Sequence, residues 1–164
     1  MAIRFVRSAG SVHEPAVVEL YASGVVRPGM AVVLAKDSGG PVSVAGSAAR
    51  ITNIFGVCLD YAQGGSDTQV RVIPFLPGQL WEADCISAAS TAQVGLKHPL
   101  SGVAGAVEIG MRINNTSYDH TAAGGVFLAL AVTGATTGSG KLIGEFLRNP
   151  SGVQQAGIAG DVYW

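Results

Sequence analysis

The octet Gly134-Ala135-Thr136-Thr137-Gly138-Ser139-Gly140-Lys141 comes nearest to a chemical motif, because glycines ahead of a lysine can cradle a phosphate. The spacing fails. Ala135 stands where the first glycine is required, and Leu142 replaces the Ser or Thr that would hold magnesium. The residues after Lys141 read as a strand, so no helix N-terminus would face an anion. His13, His98 and His120 are far apart, and none lies two or four positions from another His or Cys, so the spacing of a metal site is missing. Glu82 and Asp84 share one face of a strand, and His98 could approach them through a hairpin. Such a trio can be drawn in most domains of this size and fits solvated loop residues better than acid–base chemistry. Gly102-Val103-Ala104-Gly105 has no serine for a nucleophile elbow. These residues point to a protein that is not an enzyme and holds no cofactor or metal.

Three aromatic residues are candidates for contact rather than chemistry. Trp81 sits between Pro77-Gly78-Gln79-Leu80 and Glu82-Ala83-Asp84, where a tryptophan beside acids can anchor a partner or a sugar. The plainer alternative is that it packs in its own core. Tyr163 and Trp164 end a Gly-rich stretch that has no strand rhythm, and such rings dock in a groove on their own domain or on a neighbour. Cys58 and Cys85 lie in apolar, strand-like surroundings; two buried thiols fit better than a disulfide, though pairing stays open. The overlapping sequons at Asn114-Asn115-Thr116-Ser117 read as a turn.

The elements that position these residues are strands. Val107, Ile109, Met111 and Ile113 alternate with Glu108, Gly110 and Arg112, and Gln69-Val70-Arg71-Val72 repeats the pattern. Segments 31–35, 54–59, 126–132 and 142–147 are apolar at consecutive positions, which suits strands covered on both faces. Segments 54–59 and 126–131 each lead through Gly-rich residues to a second strand, reading as two long-looped hairpins. Arg27-Pro28-Gly29-Met30 places Pro and Gly where a type II turn needs them. The best helical window, 79–89, contains Cys85-Ile86-Ser87, a poor helix interior. The expected fold is all-β, a sandwich or barrel of about eight to ten strands over residues 25–148. An extended N-terminal arm spans 1–24 and a C-terminal tail spans 149–164.

Of the 164 residues only 13% are charged, about half of the roughly 25% usual in soluble domains, and 23 glycines help fill the deficit. Interface centres are depleted of charge, so much of this surface is expected to be covered by other copies or other proteins. Ten basic and 11 acidic residues are spread without blocks, which gives no footprint for nucleic acid. The longest apolar runs are far shorter than the roughly 20 residues a membrane helix needs, so no membrane partner is expected. Met-Ala-Ile-Arg-Phe begins no hydrophobic stretch with a cleavage site, so no secretion signal is expected.

Residues 23–72 carry a resemblance. Ala22-Ser23-Gly24-Val25-Val26-Arg27-Pro28-Gly29-Met30-Ala31-Val32-Val33-Leu34 is followed by Ile54-Phe55-Gly56-Val57-Cys58-Leu59-Asp60-Tyr61-Ala62-Gln63-Gly64-Gly65, then by Val70-Arg71-Val72-Ile73-Pro74. This order of turn, strand, Gly-Val strand, Gly-rich loop and strand resembles the head-decoration, or capsid cement, proteins of tailed bacteriophages. Trp81-Glu82-Ala83-Asp84 and Gln93-Val94-Gly95 are similar more loosely, and the long C-terminal half departs from the pattern. The resemblance implies a mostly β protein without an active site, made in the host cytoplasm and bound to the capsid exterior of the virion. Its partners would be the major capsid protein and itself, as a dimer or trimer. The alternatives are another virion module, at the tail or fibre base, and a carbohydrate-binding module built on Trp81.

Overall fold

The computed structural model describes residues 3–8, 15–34, 42–44, 54–63, 68–101, 112–118, 125–134 and 140–147. Among these the fold is all-β, with thirteen strands and one short 3-10 turn at Thr91–Gln93. The first sheet runs β1 (Arg4–Ser8), β9 (Gln79–Cys85), β13 (Lys141–Phe146), β12 (Phe127–Val132), β10 (Lys97–His98), with β11 (Arg112–Ile113) parallel to β9. The second runs β2 (Val18–Tyr21), β8 (Gln69–Pro74), β6 (Ile54–Cys58), β4 (Ala31–Leu34), β5 (Val42–Val44). A two-stranded ribbon joins β3 (Val25–Val26) to β7 (Ala62–Gln63).

The sheets stack as a sandwich because their strands alternate. Trp81, Ala83 and Cys85 of β9, Phe127 and Ala129 of β12, and Leu142 and Phe146 of β13 meet Ala31, Ile54, Val57, Ile73 and Phe75 from the second sheet and its edge. Aromatic rings dominate this core. Phe75 and Phe146 stack with centroids 3.9 Å apart, and Trp81 meets Phe75 and Phe5 edge-on at 5.0 and 5.4 Å. Such pairs add roughly 0.5–1.5 kcal/mol each beyond the area they bury.

A second core lies on the far face of the second sheet. Val32, Cys58, Val70 and Val72 pack there against Val26 and Ala62 of the ribbon and against Ala22. This explains why β4 and β6 are apolar at consecutive positions: each strand feeds both cores. The same expectation for 126–132 and 142–147 is corrected. There only one face is fully covered, with Leu130 44% exposed and β13 alternating between buried and half-buried positions.

Eleven of the thirteen strands fall between 25 and 148, against the eight to ten expected. The surplus comes from two-residue strands such as β3, β7 and β10, which are too short to carry a period. The segment 1–24, expected as an extended arm, supplies β1 to the first sheet and β2 to the second. Ile3 and Phe5 pack into the main core, and that burial draws the chain in. The expected pairing of 54–59 with 70–73 is present as β6–β8, and that of 126–131 with 141–144 as β12–β13. Residues 107–111 and the tail 149–164 lie outside the described residues.

At Arg27-Pro28-Gly29-Met30 the amide of Met30 donates to the carbonyl of Arg27 at 3.1 Å, and Gly29 has φ of 80°. That is the type II turn the Pro-Gly pair predicts. It hands the chain from the ribbon to β4.

Candidate functional site

The ribbon places one row of side chains inward and one outward. Val26 and Ala62, paired across it, are buried in the second core. Their neighbours must then face solvent. Val25 is 45% exposed and Tyr61 52% exposed, with Gln63 exposed opposite Val25. Arg27, one step past β3, lies with its guanidinium carbon 5.6 Å from the centre of the Tyr61 ring. The cation thus rests on the aromatic face, a contact of about 0.5–1 kcal/mol at exposed sites.

A second guanidinium nearby behaves differently. Arg71 Nη2 donates to Asp60 Oδ1 at 2.8 Å, its Nε donates to Asp60 Oδ2 at 3.0 Å, and its backbone amide donates to the same oxygen at 2.8 Å. These bonds from Arg71 hold the Asp60 carboxyl below the usual aspartate range. Arg71 is therefore committed, whereas Arg27 makes no ion pair with a carboxylate among the described residues. Tyr21, 48% exposed, accepts a hydrogen bond from Gln69 Nε2 at 3.3 Å, but Val18 and Leu20 of the same strand face the ribbon-side core, so Tyr21 points to the other face of the second sheet. Tyrosine and arginine on a rigid ribbon backed by a core are the residue types that carry binding energy at protein interfaces. Neither the family models nor the curated proteins contain a match to this chain.

Two other polar clusters are structural. Glu82, on the outer face of the first sheet, receives Arg4 Nε at 2.8 Å, Lys141 Nζ at 3.2 Å and Thr133 Oγ1 at 3.3 Å. Lys141 also lies 3.7 Å from Asp84. Glu82 and Asp84 do share a face, as their spacing predicts, but their partners are cations from β1 and β13 rather than His98. Lys141, the lysine of the phosphate-loop lookalike, opens β13 and is spent on these carboxylates.

His98 is fully buried on the other side of the sheet. Its Nδ1 lies 2.9 Å from the carbonyl of Ser117 and its Nε2 lies 3.2 Å from that of Gln93. Asn115, 4% exposed, braces the same region. Its Nδ2 donates to the carbonyls of Ser87 and Ala88, and its Oδ1 accepts from the amide and hydroxyl of Ser87. The Asn114-Asn115-Thr116-Ser117 stretch is thus a turn, closed by the Ser117 amide donating to the Asn114 carbonyl at 3.4 Å.

Of the three contact residues singled out in the sequence, only Trp81 is described. It is 1% exposed among Phe5, Phe75 and Phe146, so it offers no face to a partner or sugar, and its assignment as an interface residue is corrected to core packing. Tyr163, Trp164, His13 and His120 lie outside the described residues. Arg27 and Tyr61 are not legible as contact residues in the sequence because the ribbon strands are only two residues long. The legible signal was the paired pattern Val25-Val26-Arg27 and Tyr61-Ala62-Gln63, in each of which the middle residue is apolar and buried and its neighbours are not.

Proposed function

We propose that this chain is a structural binding protein, a capsid cement protein that sits on the exterior of a tailed-phage head and clamps neighbouring major capsid subunits. The observation that supports it best is the outward row of the ribbon: Val25 and Tyr61 stand exposed, with the half-buried Arg27 against the Tyr61 ring, on a platform whose underside is anchored in a core. This platform lies within residues 23–72, where the sequence resembles cement proteins, and the scarcity of charge is in keeping with a surface that meets other proteins. Self-association as a dimer or trimer is part of the same reading.

The mechanism is mass action. A protein that binds only the assembled lattice lowers its free energy relative to dispersed subunits, and repeated contacts compound the effect. Mixing the purified protein with expanded, undecorated capsids tests it. The expected result is co-sedimentation at saturating, lattice-defined stoichiometry and a higher temperature of capsid rupture. Absence of binding, or binding with unchanged heat resistance, overturns the proposal.

A further inference from the structure

Both ring nitrogens of the buried His98 face backbone carbonyl oxygens, Nδ1 that of Ser117 at 2.9 Å and Nε2 that of Gln93 at 3.2 Å. A carbonyl only accepts, so each contact needs a proton on the ring. A neutral imidazole carries one such proton and an imidazolium carries two. The charged ring therefore satisfies both carbonyls, whereas the neutral ring leaves a nitrogen lone pair against one of them. The two carbonyls are not equivalent. That of Gln93 also accepts the Leu96 amide at 3.2 Å, while no other donor among the described residues reaches that of Ser117. The Ser117 contact is also the shorter. A neutral ring thus keeps its proton on Nδ1 and gives up Gln93.

We propose that His98 is a proton-operated tie between two turns: charged, it holds both 91–96 and 114–118, and neutral, it holds 114–118 alone and loosens 91–96. The 91–96 turn is built to respond. The 3-10 residues Thr91–Gln93 include none that is buried and Val94 is 38% exposed, so hydrogen bonds rather than packing hold them. Gln93 Nε2 donates to the Asn115 carbonyl at 3.2 Å and the Gly95 amide to that of Ala129 at 2.7 Å, so the turn stays attached when the ring lets go. The charges around the ring are few. Phe127 lies opposite His98 on β12, and Thr91-Ala92-Gln93-Val94-Gly95-Leu96 has no ionisable side chain. Lys97 on the same strand, and Arg112 and Asp84 where β11 meets β9, alternate to the outer face of the sheet. Tyr118 follows the Ser117 acceptor and is 61% exposed. Asp119 and His120 come next in the sequence, outside the described residues.

Ring-nitrogen NMR of the full chain reads the proton count directly, with the other two histidines identified by His13→Gln and His120→Gln. Between about pH 5 and 8, where imidazoles ordinarily change charge, both His98 nitrogens should carry protons at the acid end and Nδ1 alone at the alkaline end. Across the same step, hydrogen-exchange protection of the Gln93, Val94 and Leu96 amides, corrected for the intrinsic rate at each pH, should fall roughly tenfold, about the worth of one hydrogen bond to a charged group. Protection of the Leu59 and Phe75 amides in the second sheet should hold. A ring with one proton throughout, or with two throughout, overturns the proposal. So does a neutral ring protonated on Nε2, or protection of 93–96 that ignores the ring's charge. His98→Gln should abolish the step in protection, and its persistence there would assign the step elsewhere and overturn the tie. Asp119→Asn combined with His120→Gln should leave the step in place; its loss would make those two residues the sensor instead.

Discussion

Glu82 is the residue on which the first sheet's outer face depends. Burial opposes its charge, but the hydrogen bonds and charges of Arg4 and Lys141 outweigh burial and hold its carboxyl below the usual glutamate range. The folded chain therefore binds the ionised form more tightly than the unfolded chain does. The resulting stability is complete above the ordinary glutamate value of about 4.3 and is lost as pH falls through the lowered folded value. The melting temperature of Glu82→Gln should lie furthest below wild type at neutral pH, and the gap should close in acid, below about pH 4. A gap of constant size across that range would show that the ion pairs do not carry the difference. Arg4 is 63% exposed, so solvent screens its share and the effect should be modest. Alternation alone predicts that Glu82 and Asp84 share a face. It says nothing of Arg4 and Lys141, which reach them only because β1 and β13 flank β9.

At the scale of elements, the pairing of β12 with β13 shows how closely backbone and side chain are matched. Gly144 lies opposite Ala129, and a Cβ there would collide with the carbonyl oxygen of Leu128 and stand 2.7 Å from the Phe127 ring. Backbone and a buried aromatic cannot yield as a flexible side chain can. Gly144→Ala should therefore destabilise the protein by about 1–3 kcal/mol, the usual cost of overpacking, read as a lower denaturant midpoint with an unchanged slope. A stability equal to wild type would mean that the two strands separate at no cost. The strands themselves were legible where the period ran long enough. Gln69-Val70-Arg71-Val72 alternates in burial as its sequence does. β3, β7 and β10 were not, because two residues define no period, whereas β11 falls at the end of the alternating run 107–113. The ribbon that carries Arg27 and Tyr61 belongs to that second group.

Across the whole molecule, the two cores separate the two cysteines. Cys85 lies in the core between the sheets, while Cys58 lies in the core beneath the ribbon. Both are free thiols with no exposed surface. Burial, with Asp84 adding to it, pushes the Cys85 thiol up to about 12, and burial also raises that of Cys58. A thiol reagent at neutral pH should find neither cysteine in the native protein and two per chain after denaturation. One or none after denaturation under non-reducing conditions would mean that a disulfide forms. The order of amino acids was enough for the all-β class, the type II turn at Pro28-Gly29, the turn at Asn114–Ser117 and the two-faced apolar character of β4 and β6, since each follows from local sterics or from alternation along one strand. What those faces meet was left to the tertiary fold. It drew residues 4–8 and 18–21 into the sheets, sank Trp81 among phenylalanines, divided the core in two and left Arg27 on Tyr61 at the surface. Each of these depends on which distant strands become neighbours, and no spacing along one strand contains that information.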